Sequence, residues 1–173
     1  MSLIPPRPEW NHTAVRDAAV SEIEALVREW VAEQGIADDT TGKDFTALLT
    51  LALRETPDAY ACGRYIEDFI GWPVDGVLIR ILDNAYRRLP GIAREMVPTW
   101  VMKNAIRFPA KKGEWVVFRT ESGDVKGEVT ELIGHEARAL VQTRDGPVTV
   151  FAENVIETLC EKRRPTRRTR RKT

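Results

Sequence analysis

Hydrophobic residues recur every three or four positions through the first hundred residues, which is the period of amphipathic α-helices. The pattern predicts four helices, within residues 13–35, 41–56, 57–71 and 75–90, followed by two shorter helical pieces at 92–97 and 99–106. Thr13 and Asp75 are the expected N-caps of the first and fourth helices. Gly35 and Gly71 are expected to end the first and third. Pro90-Gly91 is expected to break the fourth, because proline lacks the amide hydrogen that a helix interior uses.

After Pro109 the period shortens to the alternation that is typical of β-strands. Five short strands are predicted, within residues 115–118, 125–130, 137–141, 148–151 and 155–159. Asp145-Gly146 is a strong hairpin signal, and Ala152-Glu153-Asn154 predicts a short turn before the last strand. Five strands within the 46 residues 114–159 are too few for a β-sandwich, and their number is typical of a small barrel.

Residues 114–159 resemble an SH3-like small barrel of the KOW or Tudor kind, on the strength of the five strands, the hairpin and the three-residue turn. The resemblance is to a superfold, and such barrels bind nucleic acid or peptides or serve as scaffolds. We therefore predict an α+β protein. Its expected parts are an extended lead at 1–12, an N-terminal helical bundle at 13–107, a five-stranded SH3-like β-barrel at 111–160 and a disordered arginine-rich tail at 161–173.

The composition is that of a folded, soluble protein, with 173 residues, 43% of them hydrophobic and 30% charged. No apolar stretch reaches the length of a membrane span, and the first residues lack a secretory core. Cys62 and Cys160 cannot build a disulfide framework. These features predict a cytoplasmic protein with no membrane partner.

The net charge of zero conceals charge blocks along the chain. Residues 1–79 carry −8, residues 80–126 carry +5, and residues 127–161 carry −5. The segment 162–172, called here the basic segment, carries +8 and no acid; its cations are Lys162, Arg163, Arg164, Arg167, Arg168, Arg170, Arg171 and Lys172. Such a segment has no apolar anchor and is expected to be disordered alone.

The basic segment predicts a phosphate-binding arm on RNA or DNA, because arginine makes bidentate contacts with phosphate. Three other roles remain open at this point. The segment could bind an acidic protein partner, act only as a solubilising tail, or dock on the acidic residues 1–79 of its own chain.

A second group of cations lies where the predicted helices end and the strands begin. Lys103, Arg107, Lys111 and Lys112 are interleaved with Trp100, Phe108 and Trp115, and Arg119 and Lys126 would extend the group along the first hairpin. Basic residues interleaved with aromatic ones can follow a backbone and stack on bases. The alternative is that the aromatic residues only seal the interface between helices and barrel.

Other functional signatures are weak. The third and fourth helices could form a helix-turn-helix around Gly71-Trp72-Pro73, although the second of them presents a mixed rather than basic face. No Gly-x-Ser-x-Gly or Cys-x-x-Cys motif occurs, and His12 and His135 are far apart in sequence. Cys62 lies on a helix stripe and is expected to be a small core residue. We therefore predict no catalytic residue, metal ligand or cofactor.

The resulting hypothesis is a non-enzymatic accessory protein that binds nucleic acid. The basic segment would supply affinity for the phosphate backbone, and the junction between helices and barrel would supply orientation. The competing hypothesis is a protein-interaction adaptor that uses the acidic helical domain or the barrel edge. The sequence leaves open RNA against DNA, any sequence preference, the protein partner and the oligomeric state.

Overall fold

The computed structural model describes residues 5–36 and 44–159. It has the predicted α+β class, with helices followed by a five-stranded antiparallel sheet. The chain divides into two compact units, Met1–Trp100 and Val101–Thr173, called here the helical unit and the sheet unit. None of the helices in the described ranges is long and apolar enough to cross a membrane. The predicted tail at 161–173 lies outside the described residues.

Four α-helices make up the helical part of the chain. They are α1 (Thr13–Glu33), α2 (Asp44–Glu55), α3 (Ala59–Tyr65), which continues into a π-helical turn (Ile66–Ile70), and α4 (Gly76–Lys103). The predicted ends at Gly35 and Gly71 are confirmed, since both glycines take the positive φ that ends a helix, +64° and +78°. Asp75 is confirmed as the cap of α4, because its Oδ1 accepts the amides of Val77 and Leu78.

Two predicted helix starts are wrong by a few residues. His12, not Thr13, caps α1, and its Nδ1 accepts the Ala14 amide at 3.3 Å. The third helix starts at Ala59 rather than at Pro57, because the Asp58 carboxylate accepts the Ala61 amide at 2.8 Å. The first backbone amides of a helix have no acceptor within the helix, and a carboxylate at the N-cap accepts one of them. Proline has no side-chain acceptor that could do this.

The predicted break at Pro90-Gly91 is also wrong, because α4 runs through both Pro90 and Pro98. The buried stripe of Leu89, Ile92, Val97 and Val101 keeps its helical phase across both prolines. A proline costs a helix interior about 3 kcal/mol, whereas each buried aliphatic side chain of this size contributes about 1.5–3 kcal/mol. Packing of the stripe therefore outweighs the lost backbone hydrogen bonds.

The core of the helical unit is centred on aromatic side chains from three parts of the chain. The Trp72 ring lies 6.4 Å from the Trp30 ring and 5.4 Å from the Phe45 ring, centroid to centroid. The Trp30 indole donates a 3.0 Å hydrogen bond to Asp75 Oδ1. The cap of α4 is thus also the polar partner of the largest buried side chain of α1.

Arg16 of α1 is buried, with 6% of its surface exposed, and it stabilises the end of α2. Its Nη1 donates to the carbonyl oxygens of Leu53, Arg54 and Thr56, which lie in or just after the last turn of that helix. The last carbonyls of a helix have no partner within the helix, and a cation also suits the helix dipole. Arg16 therefore joins α1 to α2 through backbone atoms.

The sheet contains β1 (Trp115–Thr120), β2 (Gly123–Ile133), β3 (Arg138–Thr143), β4 (Gly146–Phe151) and β5 (Val155–Leu159). Their order across the sheet is β4-β3-β2-β1-β5, so β4 and β5 are its two edges. The predicted hairpin is confirmed, but Arg144 and Asp145 form its loop and Gly146 begins β4 with φ +128°. The core side chains are Ala110, Val116, Phe118, Val129, Ala139, Val141 and Val150.

Gly127 allows β2 and β3 to approach each other closely. A Cβ at this position would lie 2.5 Å from Val141 Cγ1 and 2.7 Å from the Gln142 carbonyl oxygen. We expect Gly127→Ala to destabilise the sheet by about 1–3 kcal/mol, as overpacking does, and to lower the midpoint of its thermal unfolding. Gly134→Ala is the matched control, because a Cβ there meets no atom within 4 Å. Equal midpoints for the two variants would contradict this account.

Candidate functional site

Six of the predicted phosphate-binding residues fall within the described ranges, and all six side chains are exposed: Lys103, Arg107, Lys111, Lys112, Arg119 and Lys126. The basic segment itself, residues 162–172, lies outside the described residues. All fourteen belong to the sheet unit, which carries 16 basic and 10 acidic residues. The helical unit carries 10 basic and 16 acidic residues, so the two units have opposite net charge.

The segment 101–113 carries four cations and no acid. Lys103 is the last residue of α4, and Arg107, Lys111 and Lys112 follow in the connection to β1. Among the described residues, no carboxylate forms an ion pair with any of these four cations. Their positive charge is therefore not neutralised by a described contact.

The turn that carries Lys111 and Lys112 is held in place by hydrogen bonds at both ends. The Lys111 amide donates to Glu114 Oε2 at 2.7 Å, and the Glu114 amide donates to the Lys111 carbonyl at 3.0 Å. The Gly113 amide donates to the Val129 carbonyl of β2 at 2.7 Å, and the Val129 amide returns a 2.9 Å bond to Glu114. Gly113 has a φ of +85°, a conformation that favours glycine. The two lysines thus project from a fixed turn.

Trp115, the first residue of β1, lies on the face of the sheet opposite to the core. Val116 and Phe118 of β1 are buried, and strand side chains alternate between faces, so Trp115 and Val117 point the other way. Lys126 of β2, the partner of Val117, places its ammonium 5.1 Å from the centre of the Trp115 ring. This distance is that of a cation–π contact.

Arg119 is less available than the other described cations. Its Nε lies 3.5 Å from Asp124 Oδ1, the residue opposite to it on β2. On the same face Glu128 is the partner of Trp115, and Glu157 is the partner of Val117. Apart from Lys126, the charged residues on this face are therefore a mixture of acids and bases rather than a continuous basic patch.

The end of β5 lies beside the same group of residues. Leu159 is the partner of Trp115 in the β1–β5 ladder, and the Thr158 hydroxyl donates to the Pro109 carbonyl at 3.4 Å. Phe108 and Ala110 pack against the sheet core, which fixes the chain just before the lysine turn. The last described residue, Leu159, therefore lies beside Trp115, and its neighbour Thr158 contacts the connection that carries Lys111 and Lys112.

The helix-turn-helix alternative finds little support in the contacts of α4. Arg87 pairs with Asp83 at 2.8 Å, and Arg88 pairs with Glu22 at 3.1 Å and with Glu95 at 3.5 Å. These cations stabilise the helical unit itself. At 28 residues, α4 is also much longer than the second helix that the prediction assumed.

Cys62 is buried, as the prediction of a core position requires. Burial raises the pKa of its thiol to about 11, so the thiol is protonated at neutral pH and is a poor nucleophile. Within the described ranges, no group of three His, Cys, Asp or Glu side chains is arranged to hold a metal ion.

Two surfaces were not predicted from the sequence. A groove of about 490 Å³ lies between the end of β1 (Phe118–Thr120) and β4, with Val148 40% exposed in it. On the helical unit, Tyr60 is 69% exposed and Phe69 is 75% exposed. The helical spacing of Tyr65, Ile66, Phe69 and Ile70 predicts a buried stripe that includes Phe69, but the π-helical turn, with its i to i+5 hydrogen bonds, changes the phase of the residues that it contains.

Comparison with protein-family models, with curated proteins and with solved structures finds no significant match to this chain.

Proposed function

We propose that this protein is a non-enzymatic accessory protein that binds RNA or DNA through its sheet unit and the basic segment 162–172. One observation supports the proposal above all. The register of β5 against β1 brings Leu159, which precedes Lys162 by three residues in sequence, close to the exposed cations of the segment 101–113. On this proposal the eight cations of the basic segment and the four of the segment 101–113, about fifty residues apart in sequence, contribute to one phosphate-binding surface.

The two parts of this surface differ in what they can contribute. An arginine-rich arm gives affinity through release of counterions, without a preference for where it contacts the backbone. Lys111 and Lys112 project from a hydrogen-bonded turn, so they can fix where the backbone lies on the sheet. The arm supplies most of the binding free energy, and the turn supplies the orientation.

We also propose that the sheet is an SH3-like small barrel. The order β4-β3-β2-β1-β5 and the 3-10 turn Ala152–Asn154 between the two edge strands support this assignment. The edges β4 and β5 are not hydrogen-bonded neighbours in the described residues, so the hydrogen-bonded sheet is open. Closure of the barrel would therefore depend on side-chain packing.

The orientation role of the lysine turn can be tested with the double variant Lys111→Gln and Lys112→Gln. We expect its affinity for a fluorescein-labelled RNA or DNA strand to fall roughly five- to tenfold at about 0.1 M salt, because two phosphate contacts are lost. The slope of log affinity against log salt should become less steep by about 1.4 on a single strand, at about 0.7 for each contact. Fluorescence anisotropy measures both quantities.

Arg119→Gln is the matched control for this experiment. Its guanidinium already pairs with Asp124, so its loss should change the affinity by less than twofold and leave the slope unchanged. The proposed orientation role would be rejected if the lysine variant bound as tightly as Arg119→Gln. Absence of salt-sensitive binding by the unmodified chain would reject the nucleic-acid proposal altogether.

A protein-interaction adaptor is the second candidate function, and the exposed aromatic rings of the helical unit favour it. Tyr60 and Phe69 are exposed close to the acids Glu67 and Asp68, and the Phe69 ring stacks on Tyr65 at 4.7 Å. Aromatic side chains are enriched where proteins bind one another. A partner complex that survives removal of residues 162–173 but is lost in Phe69→Ala would support the adaptor and its use of the helical unit.

A further inference from the structure

The pair formed by Trp115 and Lys126 has the chemistry of a base-stacking site. The indole lies on the outer face of the sheet, next to the lysine turn, and it is only half-buried. The ammonium of Lys126, whose side chain is exposed, lies over one face of the ring. A planar base can take the place of this ammonium on the ring and keep the lysine available for the adjoining phosphate.

The charges around Trp115 favour one strand rather than two. Asp124, Glu128 and Glu157 interrupt the positive charge on this face. The face therefore cannot contact the phosphate backbones of both strands of a duplex. Lys111 and Lys112, which have no described ion pair, lie in the turn just before Trp115. A duplex also hides the faces of its bases within the stack, whereas an unpaired base presents a face to an aromatic ring.

We infer that Trp115 is a stacking platform for an unpaired base, flanked by Lys126 and the lysine turn, and that the ligand class is single-stranded nucleic acid. This inference rests on the proposed function and names its ligand. RNA and DNA share the chemistry that the site recognises, which is a base face beside a phosphate. Stacking of this kind tolerates every base, so little sequence preference is expected.

The test uses the full chain and four labelled probes of about a dozen nucleotides: oligothymidylate, oligouridylate, a thymine–adenine duplex and an abasic strand with the same phosphates. We expect the single strands to bind about tenfold more tightly than the abasic strand, since stacking of one base on an aromatic side chain strengthens binding by about this factor. Trp115→Ala should lose this tenfold difference and bind the abasic strand as the unmodified chain does. Trp115→Phe should keep most of the difference, and the two single strands decide between DNA and RNA.

Phe69→Ala is the matched control, because it removes an exposed aromatic ring from the helical unit and should leave all four affinities unchanged. A second measurement needs no variant: bromouridine in the oligouridylate should photocrosslink to Trp115 in the unmodified chain. The inference is overturned if crosslinks map only to other residues, if Trp115→Ala binds every probe normally, or if the duplex binds more tightly than the single strands. Failure of the unmodified chain to bind any probe overturns the proposed function itself.

Discussion

Removal of residues 162–173 is expected to abolish most of the binding of this protein to nucleic acid. If all eight cations of the basic segment contact phosphates, they alone should lower the affinity for a single strand about two-thousandfold between about 50 and about 200 mM salt. The truncated chain keeps the four cations of the segment 101–113. Its plot of log affinity against log salt should therefore have a slope of about −3. This slope is half as steep as that of the full chain or less. Filter binding at several salt concentrations measures both slopes.

A charge-matched control separates the effect of the charge of the basic segment from the effect of the bidentate contacts of arginine. The variant that keeps the length of the tail but replaces its six arginines by lysine preserves the net charge and loses the bidentate contacts. We expect an unchanged salt slope and a modest loss of affinity. Equal binding by the full and truncated chains at low salt would contradict the nucleic-acid role and leave the adaptor hypothesis.

Arg16→Ala is expected to produce the largest loss of stability from one substitution in a charged residue of the helical unit. The change removes the guanidinium that binds three carbonyl oxygens at the end of α2, and it leaves those carbonyls buried without that donor. Charged hydrogen bonds and unsatisfied buried groups of this kind are worth about 3 kcal/mol in total. Urea unfolding followed by far-ultraviolet circular dichroism, which reports on the helices, gives the difference.

Arg87→Ala serves as its control. Arg87 is exposed and pairs only one turn away with Asp83, and such pairs contribute about 0.3–0.5 kcal/mol. Arg16→Lys adds information, because lysine keeps the charge but cannot reproduce the contacts of a planar guanidinium. Similar midpoints for Arg16→Ala and Arg87→Ala would show that the contacts with α2 add little stability.

The features predicted well from the sequence are those that depend on neighbouring residues. Gly35 and Gly71 end helices because of their own backbone freedom, and Asp75 caps α4 through amides two and three residues away. The strands follow from local alternation in the same way. Pro90 was misjudged because its local cost is offset by burial of Leu89 and Ile92 against other helices, which is a tertiary effect.

The candidate site could be predicted in its parts but not in its arrangement. The cations and Trp115 can be identified from the order of basic and aromatic residues along the chain. Their proximity to the end of β5 depends on the pairing of Trp115 with Leu159, and neither strand by itself predicts the register between two strands that are distant in sequence. The exposure of Phe69 depends on a π-helical turn, which the spacing of apolar residues does not reveal.

The pairing of β5 with β1 also determines how a load on the tail reaches the fold. Among the described residues β5 is the last strand and an edge strand, and its neighbour in the hydrogen-bonded sheet is β1. A force that pulls along the axis of β5 is shared by all of its backbone hydrogen bonds to β1. A force that pulls across this axis breaks them one after another, starting at Leu159. The direction from which a bound polymer pulls would therefore decide whether the last strand stays attached or peels away.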